Sequence, residues 1–178
     1  MLPLGAIAPD FNLPDSVSGN QISLQEIKSD IATVVIFICN HCPYVRHVQN
    51  KLVEIANQYQ KKNIQFVAIS SNDSKNYPQD GPDKMRLVAE EKHYPFPYLF
   101  DETQEVARNY HAACTPDFFI FDKNLKCVYR GQFDDSRPGN NIVVSGKDLC
   151  DALEAILAGN TVNPNQRPSI GCNIKWKK

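Results

Sequence analysis

The stretch "VVIFICNHCPYVRHV", residues 34–48, passes from an apolar run to an amphipathic one and carries Cys39, His41, Cys42 and His47 around the change. Residues 33–39, "TVVIFIC", are rich in β-branched side chains and have no polar face, as expected of a strand buried on both sides. From Pro43 onward Val45, Val48, Leu52, Ile55, Ala56 and Tyr59 recur at helical spacing, until "KKN" closes the run. Proline is favoured at the first position of a helix, so Cys42 is placed at the N-cap. Unpaired backbone N–H groups and the positive end of the helix dipole favour a thiolate there and lower its pKa. Cys42 is therefore read as a nucleophile near neutral pH. Its frame is unusual for a CxxC pair: Cys39 belongs to the strand end, and the position three residues into the helix is Val45, which cannot resolve a disulfide.

Outward from this stretch, strands and helices alternate. "DFNLPDSVSGNQISL" reads as two short extended pieces around Ser18-Gly19-Asn20. "IQFVAISS" is a second buried strand, and the breaker-rich loop "NDSKNYPQDGPD" follows it. A helix near 83–93, a short strand at "YLFD" and a helix after Asp101-Glu102-Thr103 come next. "FFIFD" and "KCVYRG" form a hairpin around Lys123-Asn124. A last helix, about 146–158, turns Leu149, Leu153, Ile156 and Leu157 inward. Strand–helix–strand order followed by a hairpin and a terminal helix predicts an α/β sandwich, parallel in its first half and antiparallel in its second. With 178 residues, 42% apolar and 22% charged, one domain over 1–178 is expected, with 159–178 an irregular tail that Ile170, Ile174 and Trp176 dock on the body.

A net charge of -1 gives no electrostatic reason to expect nucleic acid or an anionic membrane as partner. The first residues lack a basic segment followed by a long apolar one, and no later run is long enough to span a bilayer, so a cytoplasmic protein is expected. Six cysteines, unevenly spaced and mostly inside apolar patterns, do not resemble a secreted disulfide scaffold. Cys127 and Cys150 read as small apolar core residues. No cofactor is encoded, since no Gly-rich dinucleotide loop follows a strand.

"APDFNLPDSVSGNQISL", the strand ending in "CNHCPYV", "ACTPDFFIFDKNLKCVYRGQF" and the ending "PSIGCNIKW" together resemble thioredoxin-fold proteins of the alkyl hydroperoxide reductase and thiol-specific antioxidant type, in their thioredoxin-like, peroxiredoxin-like subgroup. The resemblance implies a thioredoxin-like sandwich: a central mixed sheet flanked by helices, with an N-terminal β extension. It implies that Cys42 is the attacking cysteine, that Thr115-Pro116 is the loop whose proline is cis and lies against the attacking sulfur, and that antioxidant activity is within reach of the fold. The Thr115 backbone would then face a substrate's extended chain. Two departures matter. The proline and threonine that hold peroxide in peroxiredoxins are Val35 and Cys39 here, and the buried acid of thioredoxins is Ile36.

The implied activity is thiol-disulfide exchange at Cys42, resolved by Cys39 or Cys172. Cys39 is favoured by its strand-end position; Cys172, after Gly171 on a proline-flanked tail, could reach the site by moving. Cys114 either approaches Cys42 or packs below its loop. Asn40, Tyr44, Thr115 and Pro116 are expected to line the cleft, and Arg130 either supplies positive charge nearby or is a solvated strand residue. The expected partners are a protein or small-molecule disulfide and a thiol donor such as thioredoxin or glutathione. Two other readings compete: a peroxidase, and a non-catalytic protein of the same fold that binds partners or a metal. Cys39, His41, Cys42, His47 and Cys172 are ligand types suited to zinc, but no second CxxC or spaced His pair accompanies them, and His47 is placed facing solvent.

Overall fold

The computed structural model describes residues 1–178. A hairpin of β1 (Asn12–Pro14) and β2 (Gln21–Ser23) leads into the short helix α1 (Leu24–Ile27), which Ser23 and Glu26 close with a reciprocal capping box. β3 (Ala32–Phe37), α2 (Pro43–Gln60) and β4 (Ile64–Ser70) form the first crossover unit, with β3 and β4 parallel. A short 3₁₀ turn at Pro78–Asp80 precedes α3 (Pro82–Glu91), and β5 (Tyr98–Phe100) pairs parallel to β4. After α4 (Glu105–Asn109) the chain makes β6 (Cys114–Thr115), β7 (Asp117–Asp122), β8 (Cys127–Gly131), α5 (Lys147–Leu157) and β9 (Cys172–Asn173).

The main sheet has the order β5-β4-β3-β7-β8, parallel through β3 and antiparallel beyond it, as the alternation of elements predicts. β3 is central and every one of its residues is buried, which is why its sequence shows no polar face. Its pleat sends Val34 and Ile36 into one apolar cluster with the inner face of α2 and with α5, and Val35 and Phe37 into another. In the second cluster the Tyr110 ring lies 5.5 Å from Phe37 and 5.8 Å from both Phe119 and Phe121. No helix is long and apolar enough to cross a membrane.

The strand around residue 37 ends earlier than its apolar run suggests. Ile38 still donates to the Ile69 carbonyl, but the N–H groups of Asn40 and His41 turn to Asp80 instead of a strand partner. The C-terminal segment is not irregular throughout, because Cys172 and Asn173 form β9 against β6. Nor is it loosely held, as its flanking prolines suggest: Ser169 Oγ donates to the Gly131 carbonyl, the Lys175 N–H donates to Asn72 Oδ1 while its carbonyl accepts from the Asp73 N–H, and Ile174 is buried.

Candidate active site

Cys42 is the N-cap of α2, with extended backbone (φ -69, ψ 122) and Pro43 in the first helical turn. The site therefore lies at the carboxyl end of the parallel strands, where open α/β sheets leave a crevice. The Thr115-Pro116 peptide is cis, and the Thr115 carbonyl lies 3.1 Å from Cys42 Sγ. From the other side β9 brings Cys172 Sγ to 2.8 Å of the same sulfur. Cys39 Sγ sits 3.5 Å from Thr115 Oγ1. Cys42 itself is 0% exposed, whereas Cys172 is half-buried.

The electrostatics separate these three thiols. Cys42 is drawn down to about 4, mainly because the Cys39 thiol hydrogen-bonds to it; the thiols and hydroxyl of Cys172 and Thr115 add to this against the cost of burial. The Val45 N–H at the start of α2 contributes least and makes no full capping bond. A helix start alone therefore predicts the direction of the shift but not its main source. Cys39 is pushed up in turn, first because it donates to Cys42, then by burial and by the charge of Asp80. Burial and the neighbouring Cys42 raise Cys172 to about 11. A far-ultraviolet thiolate titration of the reduced protein should show a step near about 4 that Cys42→Ser removes. Because the thiolate forms as pH rises through that step, Cys42 is ionised throughout the neutral range. Cys39→Ser should move the step upward towards an ordinary thiol near about 8.5.

Asp80, in the breaker-rich loop, was not singled out by sequence. It is fully buried and accepts from the Asn40 N–H at 2.8 Å, the His41 N–H at 3.2 Å, the His41 ring and Asn72 Nδ2. Its carboxylate thus fixes the turn between Cys39 and Cys42. The density of Asn and Asp after the second buried strand was the available signal. Asn40 completes the turn: its side chain meets the Gln79 carbonyl and the Tyr98 hydroxyl, and its carbonyl accepts from Arg46. Asn40 is therefore a brace under the turn, and its side chain does not line an open cleft.

The other expected site residues divide similarly. Tyr44 and Pro116 line a narrow crevice with His47 and Ile170, and Thr115 is buried beside both Cys39 and Cys42. His47 does not lie fully in solvent: it is half-buried, and its Nε2 is buried without a partner. Arg130 is away from Cys42. It pairs in register with Phe119, on the sheet face opposite Phe118, and its guanidinium meets Gln166. Cys114 packs below the loop with Sγ 3.7 Å from the Pro116 carbonyl, and burial raises it to about 12. Ile36 is core, as its place in β3 requires. A buried acid stands elsewhere: Asp117, following the cis-proline, is raised by burial to about 6 and has one oxygen unpartnered.

Of the residues considered as metal ligands, Cys39 and His41 come together with Asp80, their ligand atoms all within 4.8 Å. Both oxygens of Asp80 already accept hydrogen bonds from the turn and from Asn72. The grouping thus has the bonding of a structural clamp, and Cys42, Cys172 and His47 do not join it.

Comparison with known proteins places this geometry. The chain is 60% identical, over 99% of its length and 94% of the relative's, to an uncharacterized conserved protein from Geobacillus kaustophilus, with a TM-score of 0.98. It is 45% identical to a hypothetical protein from Sinorhizobium meliloti 1021, covering 99% of this chain and 96% of that one, with a TM-score of 0.96. Peroxidoxin BcpB from Mycobacterium tuberculosis shares the fold at 19% identity, with a TM-score of 0.66 over 89% of this chain and 98% of that one. No curated protein matches the sequence. The AhpC/TSA family matches residues 4–130, a stretch that runs from the N-terminal segment through Cys42 and the cis-proline into β8. The sandwich is thioredoxin-like, and the chain belongs to the AhpC/TSA family.

Proposed function

We propose that this protein is a thiol-disulfide oxidoreductase in which Cys42 attacks and Cys172 resolves. The observation that carries the reading is the approach of Cys172 Sγ to 2.8 Å of Cys42 Sγ, a low-pKa thiol at a helix start. Family membership and the likeness to a peroxidoxin support thiol redox chemistry in general. The Cys42 thiolate attacks one sulfur of a disulfide, releasing the other half as a thiolate and leaving a mixed disulfide on Cys42. Cys172 then attacks Cys42 Sγ, loses its proton to solvent and expels the second half. A thiol donor such as thioredoxin or glutathione supplies two electrons and returns both cysteines to thiols.

Cys39 suits a different task. The neighbouring Cys42, burial and the charge of Asp80 together keep its proton on, which suits it to donate towards the Cys42 thiolate rather than to attack. The sequence favoured Cys39 as resolver because a strand end is close to the helix start; proximity alone does not distinguish a donor from a nucleophile. Peptide mapping of the oxidised protein tests the assignment. A Cys42–Cys172 link is expected, and a Cys39–Cys42 link would overturn it. An assay of disulfide reduction beside one of peroxide consumption separates reductase from peroxidase, and the reductase is expected to prevail because Val35 and Cys39 stand where peroxide-holding residues would be.

A further inference from the structure

The edge of a β-strand is a template for any extended segment that can pair with it. β6 pairs with β9 and with no other strand. In that pairing Thr115 faces Cys172 and Cys114 faces Asn173, so β9 carries its thiol over Cys42. The fit is close. A Cβ on Gly171 would stand 2.0 Å from the Thr115 carbonyl oxygen, so only glycine passes at that point. The chain is also tied on both sides of the crossing. Upstream, Arg167 and Ser169 bond to Gln132 and Gly131. Downstream, Gln104 donates to the Lys175 carbonyl at 2.9 Å and accepts from the Lys177 N–H at 2.8 Å, while Lys175 bonds Asn72 and Asp73. Between these anchors Ile170 is 55% exposed and Asn173 is exposed, whereas Cys42 beneath is 0% exposed.

We propose that β9 is a built-in competitor for the β6 edge and restricts Cys42 to small disulfides, excluding extended polypeptide ones. The inference rests on the oxidoreductase reading given above. A small disulfide needs only the segment between Ile170 and Asn173 to bow outward while both anchors hold. An extended peptide must take the whole edge, which requires the downstream anchor to release. In each case the bond changes are the same. The Cys42 thiolate breaks the substrate S–S bond and releases one thiolate; Cys172 then releases the second and closes the Cys42–Cys172 disulfide.

The test is a single turnover of the pre-reduced full-length protein with no donor present, using cystine dimethyl ester in one arm and a disulfide-linked dimer of an unstructured cysteine peptide in the other. The readout is the oxidised fraction of Cys42, mixed or intramolecular, after acid quenching. Wild type should favour the small disulfide by about an order of magnitude, since each anchor bond that must break adds to the barrier. Gln104→Ala, which removes two tail bonds without touching the cysteines, should speed the peptide arm by about fivefold and leave the small arm nearly unchanged. Gly171→Ala, which unseats β9 directly, should remove the preference even if Gln104→Ala proves poorly folded. Equal rates in wild type with normal Cys42 oxidation would overturn this inference alone, as would variants that keep the wild-type preference. Failure of both disulfides to oxidise Cys42 would overturn the oxidoreductase reading and this inference with it.

Discussion

Cys42→Ser should lower turnover by about three orders of magnitude or more, because a serine hydroxyl is un-ionised near neutral pH and cannot exchange with a disulfide. The loss follows from position: Cys42 is the thiol the site draws down, whereas Cys39 and Cys172 are both raised. Its neighbours should fail differently. Cys172→Ser leaves the first attack intact and should accumulate a mixed disulfide on Cys42, visible as the mass of half the substrate. Cys39→Ser should trap nothing; it should slow the first attack below the Cys42 titration step by raising that step, with less effect at alkaline pH. Kinetics of the three variants with a small disulfide and a dithiol donor, each with mass analysis of quenched samples, check this. Retained activity in Cys42→Ser would refute the nucleophile, and trapping in Cys39→Ser instead of Cys172→Ser would exchange the roles of the two partners.

The parts of this site that were legible in sequence are those set by local rules. A strand buried on both sides, a proline at the first helical position and a cysteine between them place Cys42 with no tertiary information. The same is true of the hairpin after Thr115-Pro116 and of the periodic face of α2. What sequence could not give is the pairing of residues distant along the chain. Asp80 reaches the 39–42 turn only because the loop after β4 folds over the end of β3, and nothing in its composition says which Asp or Asn points inward. The choice between the two readings of Arg130 stays open in sequence for a related reason. Its side of the sheet depends on its register with Phe119, past an irregularity between Ile120 and Phe121 that no periodicity in β8 announces. Cys172 fell between the two. Its residue type was recognisable, but a segment rich in Pro and Asn carries no sign of pairing, and the need for glycine at Gly171 is visible only once the Thr115 carbonyl lies against it.

Reduction of the oxidised protein should begin at Cys172, so that a monothiol donor such as glutathione is found on Cys172 with Cys42 free. Two independent features point the same way. The first is access: Cys42 is 0% exposed, and Cys172 is half-buried on the outer side. The second is the leaving group. Attack at Cys172 expels the Cys42 thiolate, which the Cys39 thiol still draws down, whereas attack at Cys42 expels the Cys172 thiolate, which burial raises. The sulfur with the lower pKa leaves faster. Glutathione is therefore expected on Cys172 in clear excess over Cys42. Brief exposure of the oxidised protein to glutathione, acid quenching and peptide mapping measure the ratio directly. Glutathione found mainly on Cys42 would mean that the donor reaches the buried sulfur and that the two thiols do not differ in the oxidised protein as they do in the reduced one. Entry at Cys172 would instead give each sulfur one face of the reaction, with oxidant taken by Cys42 beneath the strap and electrons delivered to Cys172 upon it.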